Sequence, residues 1–186
     1  MAPARKILKL QRPFPMRRGG ALPSVEVAYE TWGDPAVRHD NAVMIFTGLS
    51  PSAHAASSTE DSAQGWWEDM IGPGRPIDTK RLFVICINSL GSPFGSTSPI
   101  SIDPATGQPY RLTFPVLTVE DMAQDVLAQV PGPVDVLVGH SLGSVVALTL
   151  VGLKQDFCER VVIEDPPSTS GGTQKPSRSR SQTTTG

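Results

Sequence analysis

Gly139-His140-Ser141-Leu142-Gly143 constrains the fold of this chain more than any other stretch, because of what flanks it. Val134-Asp135-Val136-Leu137-Val138 before it is short, apolar and rich in branched residues, the pattern of a buried strand. Ser144-Val145-Val146-Ala147-Leu148-Thr149-Leu150-Val151 after it continues as a buried helix. A strand that turns into a helix this abruptly leaves no room for side chains beside the turn, so glycines flank the apex. The serine at the apex takes a strained backbone that lifts its hydroxyl above the sheet, where a base can reach it.

The other elements alternate as a parallel sheet demands. Val25 to Thr31 alternates with period two, as an early, half-exposed strand does. Ala42 to Phe46 and Leu82 to Ile87 are continuous apolar runs, the first ending in Thr47-Gly48-Leu49-Ser50-Pro51. Thr118 to Val130 reads as a helix: Thr118 is the N-cap, Asp121 replaces the usual Glu of a capping box, and Val119, Met122, Val126, Leu127 and Val130 share a face. Val161-Val162-Ile163 is a last buried strand, and residues 88–117 read mostly as loop, long enough to suggest a functional role. The expected fold class is therefore α/β with a mostly parallel sheet, in one unit over residues 1–165. Residues 166–186 contain no Leu, Ile, Val, Met or aromatic residue and are expected to be a disordered tail.

A chain of 186 residues with net charge −2 has room for one core and does not suit general nucleic-acid binding. No apolar run approaches the roughly 20 residues of a membrane helix. The basic N-terminus (Arg5, Lys6, Lys9, Arg12, Arg17, Arg18) lacks the apolar core of a secretory signal, and Pro3, Pro13 and Pro15 weaken a transit-type helix. Cys86 lies in an apolar run and Cys158 is placed after a helix; both are expected to be buried thiols, in keeping with a cytoplasmic location. No cysteine/histidine cluster has metal-ligand spacing, so no metal is expected.

Strand, G-x-S-x-G and helix together form the nucleophile elbow of α/β-hydrolases. Ser141 is the candidate nucleophile, and the backbone N–H groups of Leu142 and Leu49 are the candidate oxyanion donors. Beyond the elbow, several blocks resemble the homoserine/serine O-acyltransferases of the α/β-hydrolase superfamily: Tyr29-Glu30-Thr31-Trp32-Gly33, Thr47-Gly48-Leu49-Ser50-Pro51 with His54-Ala55-Ala56, Gly65-Trp66-Trp67-Glu68, and Ile71-Gly72-Pro73-Gly74 with Ile77-Asp78-Thr79. Asn88-Ser89-Leu90-Gly91, Gly95-Ser96-Thr97 and Asp103-Pro104-Ala105-Thr106-Gly107-Gln108-Pro109-Tyr110 are similar too, in family order. The Thr-Gly-Leu-Ser-Pro wording and Arg18-Gly19-Gly20-Ala21-Leu22 look most like the succinyl-transferring branch, with an acetyl-transferring branch close behind. The resemblance implies a ping-pong reaction in which Ser141 takes an acyl group from succinyl-CoA or acetyl-CoA and passes it to the hydroxyl of L-serine or L-homoserine, for cysteine or methionine synthesis. It implies small-molecule substrates, no bound cofactor, and homodimers among full-length members.

The sequence departs from the family pattern in four places. The elbow reads Gly-His-Ser-Leu-Gly-Ser where the family has Gly-x-Ser-Met-Gly-Gly, and Ser144 is expected to crowd the helix start. Pro93-Phe94 replace a cysteine-containing pair, and Ser98 stands where glycine is usual. The family's acid and histidine lie downstream, beyond later strands and a helical lid, and this chain is expected to lack them, which makes the hydrolase sheet incomplete. Of its three histidines, His39 is expected in an exposed turn, His140 beside the nucleophile pointing away from it, and His54 in a loop-packing role. Asp165 is read as a cap or turn residue, and Trp66 and Trp67 as aromatic anchors of a loop. Without a base Ser141 keeps only the help of the oxyanion hole, so the chain is expected to be inactive as it stands. Two other readings stay open: a plain serine hydrolase, and a non-catalytic short form that binds a ligand or pairs with a full-length subunit.

Overall fold

The computed structural model describes residues 3–36, 40–130 and 133–167. Six strands form one sheet: β1 (Lys6–Leu10), β2 (Val25–Trp32), β3 (Ala42–Phe46), β4 (Phe83–Ile87), β5 (Val134–His140) and β6 (Cys158–Glu164), in the spatial order β1-β2-β4-β3-β5-β6. The β4–β3, β3–β5 and β5–β6 pairs are parallel, whereas β2 runs antiparallel to both β1 and β4. Two helices, α1 (Val119–Gln129) and α2 (Leu142–Leu153), connect and cover the parallel part.

Period two along the strands divides the core. Met44 and Phe46 face α1 and α2 together with Leu137, Val146, Ala147 and Leu150. Val43 and Ile45 face the opposite side with Val84, Cys86 and Val138, where residues of the 51–82 connection (Ala55, Ala56, Ile71) close the layer. That connection has no helix; its only ladder is the residue pair Ile71–Gly72 beside Ile77–Asp78.

The capping box at Thr118 is present in both directions: the Thr118 hydroxyl accepts from the Asp121 N–H at 3.2 Å, and the Asp121 carboxylate accepts from the Thr118 N–H at 2.8 Å. Asp121 also accepts from the Arg17 N–H at 2.8 Å, which ties the N-terminal arm to the helix start. The last two strands run longer than the sequence suggests, because backbone pairing continues past the apolar runs: β5 reaches His140, and β6 begins at Cys158 and ends at Glu164. Cys158 follows α2, as expected, and opens β6; both cysteines are free thiols, Cys86 fully buried and Cys158 only half-buried.

The 88–117 segment is sewn to the sheet where β4 stops. Ser96 and Thr97 hydroxyls accept the Ala28 and Glu26 N–H groups of β2, and the Thr97 N–H returns a bond to Glu26 C=O at 2.8 Å. It also carries a two-residue hairpin ladder, Ile102–Asp103 against Gln108–Pro109, and one turn of 3₁₀ helix at Arg111–Thr113. Of the expected tail only Pro166 and Pro167 fall within the described residues, both exposed. No helix among the described residues is long and apolar enough to cross a membrane.

Candidate active site

Ser141 stands between β5 and α2 with φ 52° and ψ −118°, a conformation strained for any residue with a Cβ. Its neighbours explain why glycine is needed around it. A Cβ on Gly143 would lie 2.2 Å from the Phe46 carbonyl oxygen, and one on Gly139 would lie 2.5 Å from Ser144 Cα. Main chain therefore meets main chain at the turn, and helix α2 starts directly against the end of β3.

Ser144 does not crowd the helix start. It is fully buried, and its hydroxyl lies 2.7 Å from the Gly139 carbonyl and 3.1 Å from the Glu164 carbonyl. The extra side chain is taken up because strand-end carbonyls at the turn offer it acceptors.

Leu142 is the first residue of α2, so its N–H has no partner within the helix. Leu49 follows β3 with its side chain 76% exposed. Leu49 and Leu142 line one mostly apolar pocket of about 190 Å³, completed by Gly48, Leu90, Leu117 and Met122 and by Ser89 to Pro93 of the long loop. Gly48 presses on the elbow itself: a Cβ there would sit 3.3 Å from both His140 Cδ2 and Ser141 Cβ. The structure thus brings together Ser141, Leu142 and the Gly48-Leu49 loop.

The histidines are placed differently. His54 is bonded at both ring nitrogens to acceptors, Nδ1 to Glu30 Oε2 at 2.8 Å and Nε2 to the Ala63 carbonyl at 2.8 Å. The Ala63 carbonyl can only accept, so Nε2 carries a proton, and Glu30 engages the other ring nitrogen. Burial works most strongly against the protonated ring, but the Glu30 hydrogen bond, the Ala63 carbonyl and the charges of Glu30 and Asp61 outweigh it and raise its pKa above 6.5. Glu30 is 1% exposed, so the pair is an internal ion pair that fixes the 51–65 loop to β2. A ring so engaged cannot accept a serine proton, and His54 is a structural residue. His140 directs Nδ1 to Glu164 Oε2, and its ring lies against the stacked Trp66–Trp67 pair, with centroids 5.3 Å and 6.0 Å away. His39 lies outside the described residues. Asp165 follows the end of β6, exposed and left-handed at φ 45°.

The Gly65-Trp66-Trp67-Glu68 block is a loop rivet. A Cβ on Gly65 would fall 2.2 Å from the Ala55 carbonyl, and Trp66 Nε1 donates to the Ser52 carbonyl at 2.9 Å. The Glu68 carboxylate accepts from the Ser57 hydroxyl and N–H and from the Gly65 N–H, and these bonds, the hydroxyl's foremost, hold its pKa below 4.5. Sequence reasoning identified the tryptophans as anchors but missed Glu68, Glu30 and Glu164. Their partners lie far away in sequence or in main-chain groups, and only the family-like wording around Glu30 and Glu68 could have marked them.

Six strands in this order, with a serine at positive φ between a parallel strand and its helix, define the class: the chain belongs to the α/β-hydrolase fold family, which it matches over residues 41–182. Within that class it is similar to serine O-succinyltransferases. It is 66% identical over 122 residues to that of Litchfieldella anticariensis (66% of this chain, 33% of the relative) and 52% identical over 155 residues to that of Stenotrophomonas maltophilia (81% and 42%). Among solved structures it is similar to homoserine O-acetyltransferase from Bacillus anthracis, with a TM-score of 0.76 at 29% identity (86% of this chain, 45% of that one), and to esterase E22, with a TM-score of 0.74 at 30% identity (86% and 46%). The chain spans about a third to two fifths of the length of its curated relatives.

Proposed function

We propose that this chain carries the acyl-binding half of a serine or homoserine O-acyltransferase, with Ser141 as acyl carrier and the Leu49 and Leu142 N–H groups as oxyanion donors. The observation that carries the reading is the strained Ser141 standing beside a pocket that Leu49 and Leu142 both line. In the first step Ser141 Oγ attacks the thioester carbonyl of an acyl-CoA. A C–O bond forms, the C–S bond breaks, coenzyme A leaves as the thiol, and the serine proton passes to a base and on to the sulfur. In the second step the hydroxyl of L-serine or L-homoserine attacks the Ser141 ester and returns the proton. The names of the relatives favour a succinyl donor.

The described histidines do not supply the base, since both ring nitrogens of His54 are already bonded and His140 Nδ1 is held by Glu164. In this reading the chain acts in the cytoplasm as the donor-side part of such a site, and the described residues leave the base to be identified. The unit is residues 1–165, with 166–186 as a tail. Succinyl-CoA and acetyl-CoA incubated separately with the protein test the reading by intact mass. An acyl adduct at Ser141 absent from Ser141→Ala supports it; an adduct elsewhere overturns it.

The likeness to esterase E22 favours one second reading, a serine hydrolase. Sustained hydrolysis of a p-nitrophenyl ester without any dependence on coenzyme A thioesters would select it.

A further inference from the structure

One residue outside the motif reaches the elbow through both its main chain and its side chain. Glu164, the last residue of β6, stands opposite His140 in the β5–β6 register. Its carbonyl accepts the Ser141 N–H at 3.0 Å and lies 3.1 Å from the Ser144 hydroxyl, so one main-chain oxygen serves the apex and the first turn of α2 together. Its carboxylate holds His140 Nδ1. The His140 ring is backed by Trp66 and Trp67, and Trp66 is in turn bonded to the Ser52 carbonyl, in the connection that leaves the Leu49 loop. A chain of contacts therefore runs from β6 through His140 and the tryptophans to the segment that presents the Leu49 N–H.

We propose that Glu164 and His140 are positioning residues for Ser141: the Glu164 carboxylate locks the His140 ring between the strand end and the tryptophan pair, and this lock sets the spacing between the nucleophile and the Leu49 donor. Neither side chain touches the reacting atoms; both act through the backbone of the apex. The strained φ of Ser141 makes such a lock necessary, because a left-handed serine relaxes unless its surroundings over-determine it. The inference rests on the reading of Ser141 as nucleophile, and the test keeps the two apart.

The experiment uses the full chain with p-nitrophenyl acetate, following single-turnover release of p-nitrophenolate and confirming by peptide mass that the acetyl group is on Ser141. The variants are Glu164→Leu, which removes the acceptor, His140→Phe, which keeps a ring against the tryptophans, and the double variant. Each single variant slows acetylation of Ser141 by roughly tenfold or more, since a misplaced nucleophile loses rate steeply. The double variant is no slower than the worse single one, as expected of residues acting as one unit. In the proton NMR spectrum a downfield ring N–H signal present in the wild type vanishes in both single variants, which a general loosening of the fold does not predict. Unchanged rates in folded Glu164→Leu and His140→Phe proteins overturn the lock while leaving Ser141 as nucleophile. If Glu164→Leu fails to fold, His140→Phe alone decides by the same rate and signal. Wild-type protein with no acetyl group on Ser141 overturns both the lock and the nucleophile.

Discussion

At the residue scale, the site is shaped by charges that the sequence pattern does not advertise. Glu30 sits in a strand whose neighbours alternate as if half-exposed, yet it is buried, because His54 reaches it from the loop beyond β3. The raised pKa of His54 gives this pair a definite pH signature. Its contribution to stability is fully present below the unfolded value of 6.5 and is lost as pH rises through the higher folded value. His54→Gln is expected to destabilise the protein most at pH 6, with the gap to wild type narrowing above neutrality, as read from urea midpoints across that range. The strained turn at Ser141 was legible at this scale because Gly139, Ser141 and Gly143 stand so close together that their constraints are local. Glu30 and Glu164 were not, since each takes its partner 24 residues away.

At the element scale, α1 is the clearest case of a helix read well at its start and less well along its length. Thr118 and Asp121 form the expected capping box because that motif is written within four residues. Asp121 also holds the Arg17 N–H, a tether from an arm about a hundred residues earlier that no window reveals. Asp121→Ala removes the cap and leaves the Arg17 and Thr118 N–H groups without their acceptor, a loss of about 1 to 2 kcal/mol that lowers the thermal midpoint. Asp125, one turn on, is buried although it is not part of the apolar face; burial raises its pKa to about 7, opposed in part by the hydrogen bond from Gln129. Because the folded value lies above the unfolded one, the protein loses stability as pH rises from about 4 to 7 as this carboxyl ionises. Asp125→Asn removes that slope, and is more stable than wild type at pH 8 by on the order of a few kcal/mol while nearly matching it at pH 4. Strand β1 went unread because Lys-Ile-Leu-Lys-Leu does not alternate: it lies at the sheet edge, with Leu8 exposed to 38%. The two-residue ladders of the 71–78 and 102–109 segments are too short to leave any period in the sequence.

At the scale of the whole molecule, the sheet order places the C-terminal ends of β3 and β5 side by side, and that adjacency brings Leu49, Ser141 and Leu142 together as the candidate site. The parallel core was legible in its apolar runs; the order of the strands was not, since β4 pairs between β2 and β3 through connections that carry no periodic signal. On the far side β6 pairs with β5, and among the described residues nothing pairs with its other edge, where Val162 is 49% exposed. An open parallel edge of this kind promotes association, so Val162→Lys is expected to raise solubility and lower the sedimentation-average mass relative to wild type. The central proposal, that Ser141 of this α/β-hydrolase unit takes up an acyl group that none of the described histidines helps to release, is tested most directly by a chase. The protein is incubated for hours with succinyl-CoA, freed of donor, and exposed to L-serine and then to L-homoserine while the mass of the Ser141 peptide is followed. The account predicts a slowly formed succinyl ester on Ser141, absent from Ser141→Ala, that neither amino acid discharges. Rapid multiple turnover, or a Ser141 peptide that never gains the succinyl group, would contradict it.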